Sequence, residues 1–171
     1  MFYERLWLFL RVAAAAAPLL FSAVSTADEI LLRVTGEVDT PLALTRSDLA
    51  GMPRVRVEAP TREDRSVMEV WEGVPMIEIL RRAGAPVDER MGGRNTAAYV
   101  LVSAADGYRA VYALAEIDPA YALDRQVVVA DTLDGRPLAG KFGSLRIVNK
   151  GEGRFSRWVR QVEALEVRIA E

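Results

Sequence analysis

The residues best suited to chemistry in this chain lie near its end, in Asn149-Lys150-Gly151-Glu152-Gly153-Arg154-Phe155-Ser156-Arg157. Gly151 and Gly153 let backbone amides turn inward, while Lys150, Arg154 and Arg157 supply positive charge. A phosphate or carboxylate needs such donors, and an arginine can grip either group through two parallel hydrogen bonds. Phe155 is the side chain placed to shield the site. Shielding matters: a charged hydrogen bond away from water is worth roughly 1.5–3 kcal/mol, an exposed ion pair about 0–1 kcal/mol. Glu152 stands against this reading, since it puts a carboxylate in the same loop. The competing reading is a solvated connection whose arginines pair with nearby acids.

The composition removes other chemistries. The 171 residues include no Cys and no His. Disulfides, thiolate nucleophiles, Fe–S ligation and cysteine-type zinc sites are therefore impossible, as are Ser-His-Asp triads and histidine-held metals. Carboxylate, Lys, Tyr and Ser/Thr chemistry remain. Glu63-Asp64 reads as part of a charged turn, and no pair of acids stands out as a hydrolase dyad. Trp71 and Trp158 adjoin alternating apolar stretches, which favours packing over a ligand platform. Tyr108 and Tyr112 share one strand face with Arg109 on the other, which favours cross-strand packing over a ligand surface.

The elements that must position these residues are short. Ile30 to Val34, closed by Thr35-Gly36, is an expected strand. Thr45 with Asp48 predicts one capped helical turn before Pro53. Arg54 to Ala59 and Val67 to Trp71 alternate as half-buried strands, with a charged turn over 60–66 between them. Pro75 opens a helix with Met76, Ile77, Ile79, Leu80 and Ala83 on its apolar face, and Gly84 stops it. Residues 87–95 read as a loop. Ala98 to Ser103 and Tyr108 to Ala113 form a hairpin around Asp106-Gly107. Val127 to Ala130, apolar throughout, is expected at a sheet centre. Asp134-Gly135 is a turn, Leu145 to Val148 a strand, and Trp158 to Ile169 a possible turn followed by a strand bulged near Ala164. This pattern predicts an α+β fold with mostly antiparallel sheets in one domain over 28–171.

Residues 1–27 read as a signal peptide. An uncharged run from Val12 to Val24 is too short for a hydrocarbon core of about 30 Å, and Ser25 and Ala27 suit a signal-peptidase site. The rival reading is an uncleaved amino-terminal anchor. In both cases the expected place is the periplasm or the exterior, with no membrane span after cleavage. The leading segment holds Glu4, Arg5 and Arg11, so the remainder has 20 basic and 23 acidic side chains and a net charge of −3. Such a mildly acidic surface makes nucleic acid a poor partner.

Four segments in order resemble the sulfite-oxidase-like family of oxidoreductase molybdopterin-binding domains: Val34-Thr35-Gly36-Glu37-Val38 with Pro41-Leu42-Ala43-Leu44-Thr45; Trp71-Glu72-Gly73-Val74-Pro75; Ser103-Ala104-Ala105-Asp106-Gly107-Tyr108; and Gly143-Ser144-Leu145-Arg146-Ile147-Val148 leading to Arg157-Trp158-Val159-Arg160-Gln161-Val162. The resemblance implies mixed sheets in a barrel-like core with short peripheral helices. It also implies a molybdenum held by a cysteine thiolate just after the Arg54–Ala59 strand, and basic residues on the pterin phosphate. Thr61 or Asp64 would offer only hard oxygen where soft sulfur is needed. The glycine-rich loop matches the family's late cofactor-contacting segment, so Lys150, Gly151, Gly153, Arg154 and Arg157 are the candidate binding residues. No catalytic or metal-binding residue is assigned, and molybdopterin rests on the resemblance alone. The expected function is an exported, non-catalytic binding module for a small anionic ligand or a periplasmic or membrane partner protein. The alternative is a molybdopterin-dependent oxidoreductase, or a subunit of a redox complex, without a cysteine ligand.

Overall fold

A computed structural model describes residues 28–123 and 125–171. The expected signal peptide lies outside the described residues. In chain order the elements are β1 (Ile30–Gly36), β2 (Leu42–Thr45), α1 (Arg46–Ala50), β3 (Val55–Pro60), β4 (Met68–Pro75), α2 (Met76–Ala83), β5 (Ala98–Ala104), β6 (Arg109–Ala113), α3 (Leu114–Ile117), β7 (Gln126–Leu133), β8 (Arg136–Pro137), β9 (Arg146–Lys150) and β10 (Val162–Ile169). Among the described residues no helix is long and apolar enough to cross a membrane.

The local signals act as expected. Thr45 and Asp48 form a reciprocal cap, Thr45 N–H donating to the Asp48 carboxylate at 2.9 Å and Asp48 N–H to the Thr45 hydroxyl at 3.2 Å. Helix α2 buries the five predicted apolar side chains and ends at Gly84, whose φ of +71° suits glycine. A Cβ there would also sit 2.4 Å from the Asp39 carboxylate. Strand β4 runs beyond the predicted end at Trp71 because Gly73 permits close approach to β7. A Cβ at Gly73 would lie 2.2 Å from the Val129 carbonyl oxygen, and the ladder shifts register between Glu72 and Gly73. Helix α3, unexpected from the sequence, is a single turn capped by Glu116, whose carboxylate accepts from Ala113 N–H at 3.0 Å. Residues 87–95 carry two short 3-10 turns rather than plain loop.

The strands form two five-stranded sheets. The first has the order β2-β1-β10-β5-β6, and its β1–β10 pair is parallel. The second has the order β3-β4-β7-β8, with β9 also paired to β7. The β10 ladder shifts register between Val162 and Ala164, where a bulge was expected. The mixed, mostly antiparallel fold is as predicted, although the sheets stay open instead of closing into a barrel.

Two cores explain why β7 is apolar on both faces. Val127 and Val129 join Val74 and Ile147 in the main core, with α2 and the first sheet. Val128 and Ala130 face the other way, into a smaller core with Val57, Ala59, Trp71, Val148 and Trp158. Leu138, Phe142, Phe155 and Trp158 cover this second face, and the candidate chemistry gathers there and in the loop after β9.

Candidate functional site

The structure separates the five predicted binding residues. Lys150, at the exposed end of β9, borders an open groove with Ile77 and Val127. Gly151 has φ +90° and lies at the surface, where Arg154 is also exposed. The Gly153 carbonyl accepts a hydrogen bond from Arg65 at 3.1 Å. Arg157 is held between the loop's own Glu152 and Glu116 of α3. Its guanidinium meets Glu116 at 2.7 Å and Glu152 at 2.9 Å, and stacks on the Tyr112 ring 4.6 Å from its centre. Those two carboxylates, Glu116 first, hold its pKa above the ordinary arginine value. The Tyr112 hydroxyl donates to the Arg157 carbonyl, and burial pushes its own pKa up. Arg157 is thus neutralised within the fold, as the solvated-connection reading supposes.

A second cationic cluster appears where the sequence analysis named no site. Arg146 begins β9 opposite Ala130 of β7, so its side chain enters the smaller core. It is only 7% exposed. Its guanidinium carbon lies 4.7 Å from the Trp71 ring centre, 4.8 Å from Phe142 and 5.5 Å from Trp158. The rings themselves meet edge to face, Trp71 with Phe142 at 5.8 Å and with Trp158 at 6.4 Å. Cation–π contacts contribute about 0.5–2 kcal/mol each, which offsets part of the several kcal/mol of burying a charge. Burial wins in the balance and pushes the Arg146 pKa down to about 10, so the group is still a cation at neutral pH.

What Arg146 lacks is an acid. Among the described residues none of Arg62, Lys141, Arg146 and Arg160 takes part in an ion pair. The Arg146 Nε and the indole N–H groups of Trp71 and Trp158 are buried without a hydrogen-bond acceptor. Unmet buried donors are uncommon in folded proteins and call for an acceptor. The four cations border one cavity of about 90 Å³, with Glu63 and Glu69 as its two acids. Burial, opposed by Arg146, raises the Glu69 pKa above the usual carboxylate range. The cavity is continuous in its lining with an outer groove of about 230 Å³, because both are walled by Arg62, Phe155, Trp158 and Arg160. Phe155, expected to shield the glycine loop, meets Trp158 edge to face at 4.8 Å and walls this cavity instead.

The remaining predicted features are structural here. Trp71 and Trp158 pack in the core, as expected, while also caging Arg146. Thr61 and Asp64 hold each other in a turn, Thr61 donating to the Asp64 carbonyl at 2.7 Å. The open groove beside Lys150 is larger, about 430 Å³, but both of its arginines are already paired, Arg81 with Glu78 and Asp88, Arg125 with Glu116, which leaves Lys150 as its one cation outside an ion pair among the described residues. One signal for Arg146 was present in the sequence: a lone cation between Leu145 and Ile147-Val148, inside an otherwise apolar strand.

Comparison with known proteins places this geometry. No curated protein sequence matches the chain. Among solved structures, the sulfane dehydrogenase SoxCD from Paracoccus pantotrophus aligns with a TM-score of 0.61 at 21% identity, over 80% of this chain. The match covers 37% of that SoxCD chain, and at this identity it speaks for the fold. The sequence model described as "Oxidoreductase molybdopterin binding domain" matches residues 21–171. The chain therefore belongs to the oxidoreductase molybdopterin-binding domain family.

Proposed function

We propose that this member of the family is a non-catalytic binding module that takes a small anion at Arg146. The observation that carries the reading is a buried arginine with no acid partner, at the wall of a cavity bordered by three more unpaired cations. A buried cation without a counterion is costly, and an incoming anion would supply the missing partner.

The donor set does not fit the family's thiolate-held molybdenum. The chain has no Cys, and Ala59 near the end of β3 presents a methyl group packed in the smaller core at 1% exposure. Thr61 is engaged in its turn, and no three acids among the described residues gather as a metal site. No catalytic step is assigned through that group. Export belongs to the same proposal: intact mass of protein from the cell envelope should show a chain beginning at Asp28, and a soluble product that keeps Met1 would contradict it.

The test of function combines elemental analysis with anion binding. Protein made in cells with an active molybdenum-cofactor pathway should contain no stoichiometric molybdenum. Millimolar methanesulfonate should raise its melting temperature. Bound molybdenum would restore the oxidoreductase reading. Failure of small anions to stabilise the protein would leave a partner protein as the occupant of choice, with the exposed Tyr121 and Leu123 as the surface to test.

A further inference from the structure

The anion reading leaves open what kind of anion the site selects, and the shape of the two connected spaces bears on that. The inner cavity, about 90 Å³, is smaller than the roughly 150 Å³ of a cavity that takes a benzene ring, so it matches a carboxylate or sulfonate head rather than a ring. It is the part that Arg146 and Lys141 border. The outer groove, about 230 Å³, adds Tyr108, Ser156 and Asp106 to the shared walls of Phe155 and Trp158. Tyr108 is anchored there, its hydroxyl donating to the Ser156 carbonyl at 2.7 Å, while about half of its surface stays exposed. Aromatic walls on an otherwise polar groove favour a flat apolar body. Asp106 lines only this groove, and its carboxylate accepts from the Tyr108 N–H at 2.9 Å, while Arg62 and Arg160 keep the groove cationic.

Resting on the reading of Arg146 as an anion site, we infer that the ligand is an organic anion: a carboxylate or sulfonate head in the inner cavity, joined to one flat apolar group lying against Tyr108 and Phe155. The Arg146 guanidinium at the cavity wall donates to the head, and the outer groove selects the body. An inorganic oxyanion would satisfy the first requirement and leave the second unused.

The experiment is calorimetric titration of the purified chain with methanesulfonate and benzenesulfonate, which share one head and differ only in the body. Benzenesulfonate should bind at least about tenfold more tightly than methanesulfonate. Arg146→Met should abolish both. Tyr108→Ala should remove most of the benzenesulfonate advantage and leave methanesulfonate unchanged. If methanesulfonate binds as tightly as benzenesulfonate and both need Arg146, the organic body is overturned while the anion site stands. If no probe binds, or binding survives Arg146→Met, the anion site and the inference fall together.

Discussion

Arg157 and Arg146 are eleven positions apart in sequence, and both stack on aromatic rings, yet the fold treats them in opposite ways. Arg157 meets two carboxylates, and its charge is spent on joining α3 to the loop after β9. Arg146 is more deeply buried and meets no carboxylate, only rings and unmatched N–H groups. A cation paired inside the fold stabilises the fold. A cation left unpaired costs stability and is free to recruit a ligand, the usual trade between function and stability.

The comparison breaks first at Arg157. Replacing it with Met leaves Glu116 and Glu152 facing each other, about one-fifth exposed, without the cation between them. Stability should fall by roughly 2 kcal/mol, a drop of about 4–8 °C in melting temperature for a domain of this size. Calorimetry showing no change would mean that the pair is ornamental.

A second internal pair sharpens the contrast through pH. Burial would raise the Asp131 pKa, but two hydrogen bonds from Arg54, at 2.6 and 2.9 Å, outweigh it and hold the group below its ordinary value of 3.8. The folded state therefore holds this proton less tightly than the unfolded chain does. Its contribution is complete above about pH 5 and is lost as pH falls through the folded value. Asp131→Asn should flatten the acid limb of the stability curve by about 1 kcal/mol, and an unchanged limb would contradict the pairing.

The smallest expected effect concerns Glu69, raised by burial, lowered by Arg146 and Lys141, and raised again by Asp134 and Glu63. Protonating it removes a negative charge from the cavity wall, so anion affinity should strengthen as pH falls from 7 to 5. Glu69→Gln should bind a sulfonate about two- to threefold more tightly at pH 7 and lose that pH dependence, a screened Coulomb effect of a few tenths of a kcal/mol. Titration at the two pH values measures it.

Local signals made much of the fold legible. The Thr45–Asp48 cap, the Gly84 stop, the hairpin at Asp106-Gly107 and the bulge before Ala164 each depend on a few adjacent residues. The length of β4 was hidden because it depends on how closely Gly73 meets β7, a long-range contact. The site was less legible for the same reason. A glycine-rich basic loop announces itself in sequence, but its strongest cation, Arg157, is neutralised by Glu116, which lies 41 positions earlier. Arg146 gathers Trp71 from 75 positions earlier beside the nearer Phe142 and Trp158, and its lack of an acid partner is a property of the folded chain.

The most direct measurement is the melting temperature of the parent, Arg146→Met and Arg157→Met proteins, each with and without millimolar methanesulfonate. Replacing a buried unpaired cation with an apolar side chain of similar length should leave the unliganded Arg146→Met protein as stable as the parent or up to about 1 kcal/mol more stable. It should also erase the stabilisation by the anion. Arg157→Met should melt lower and keep that stabilisation. If Arg146→Met melts well below the parent, or gains as much from methanesulfonate as the parent does, Arg146 is a structural residue and the anion site is not there.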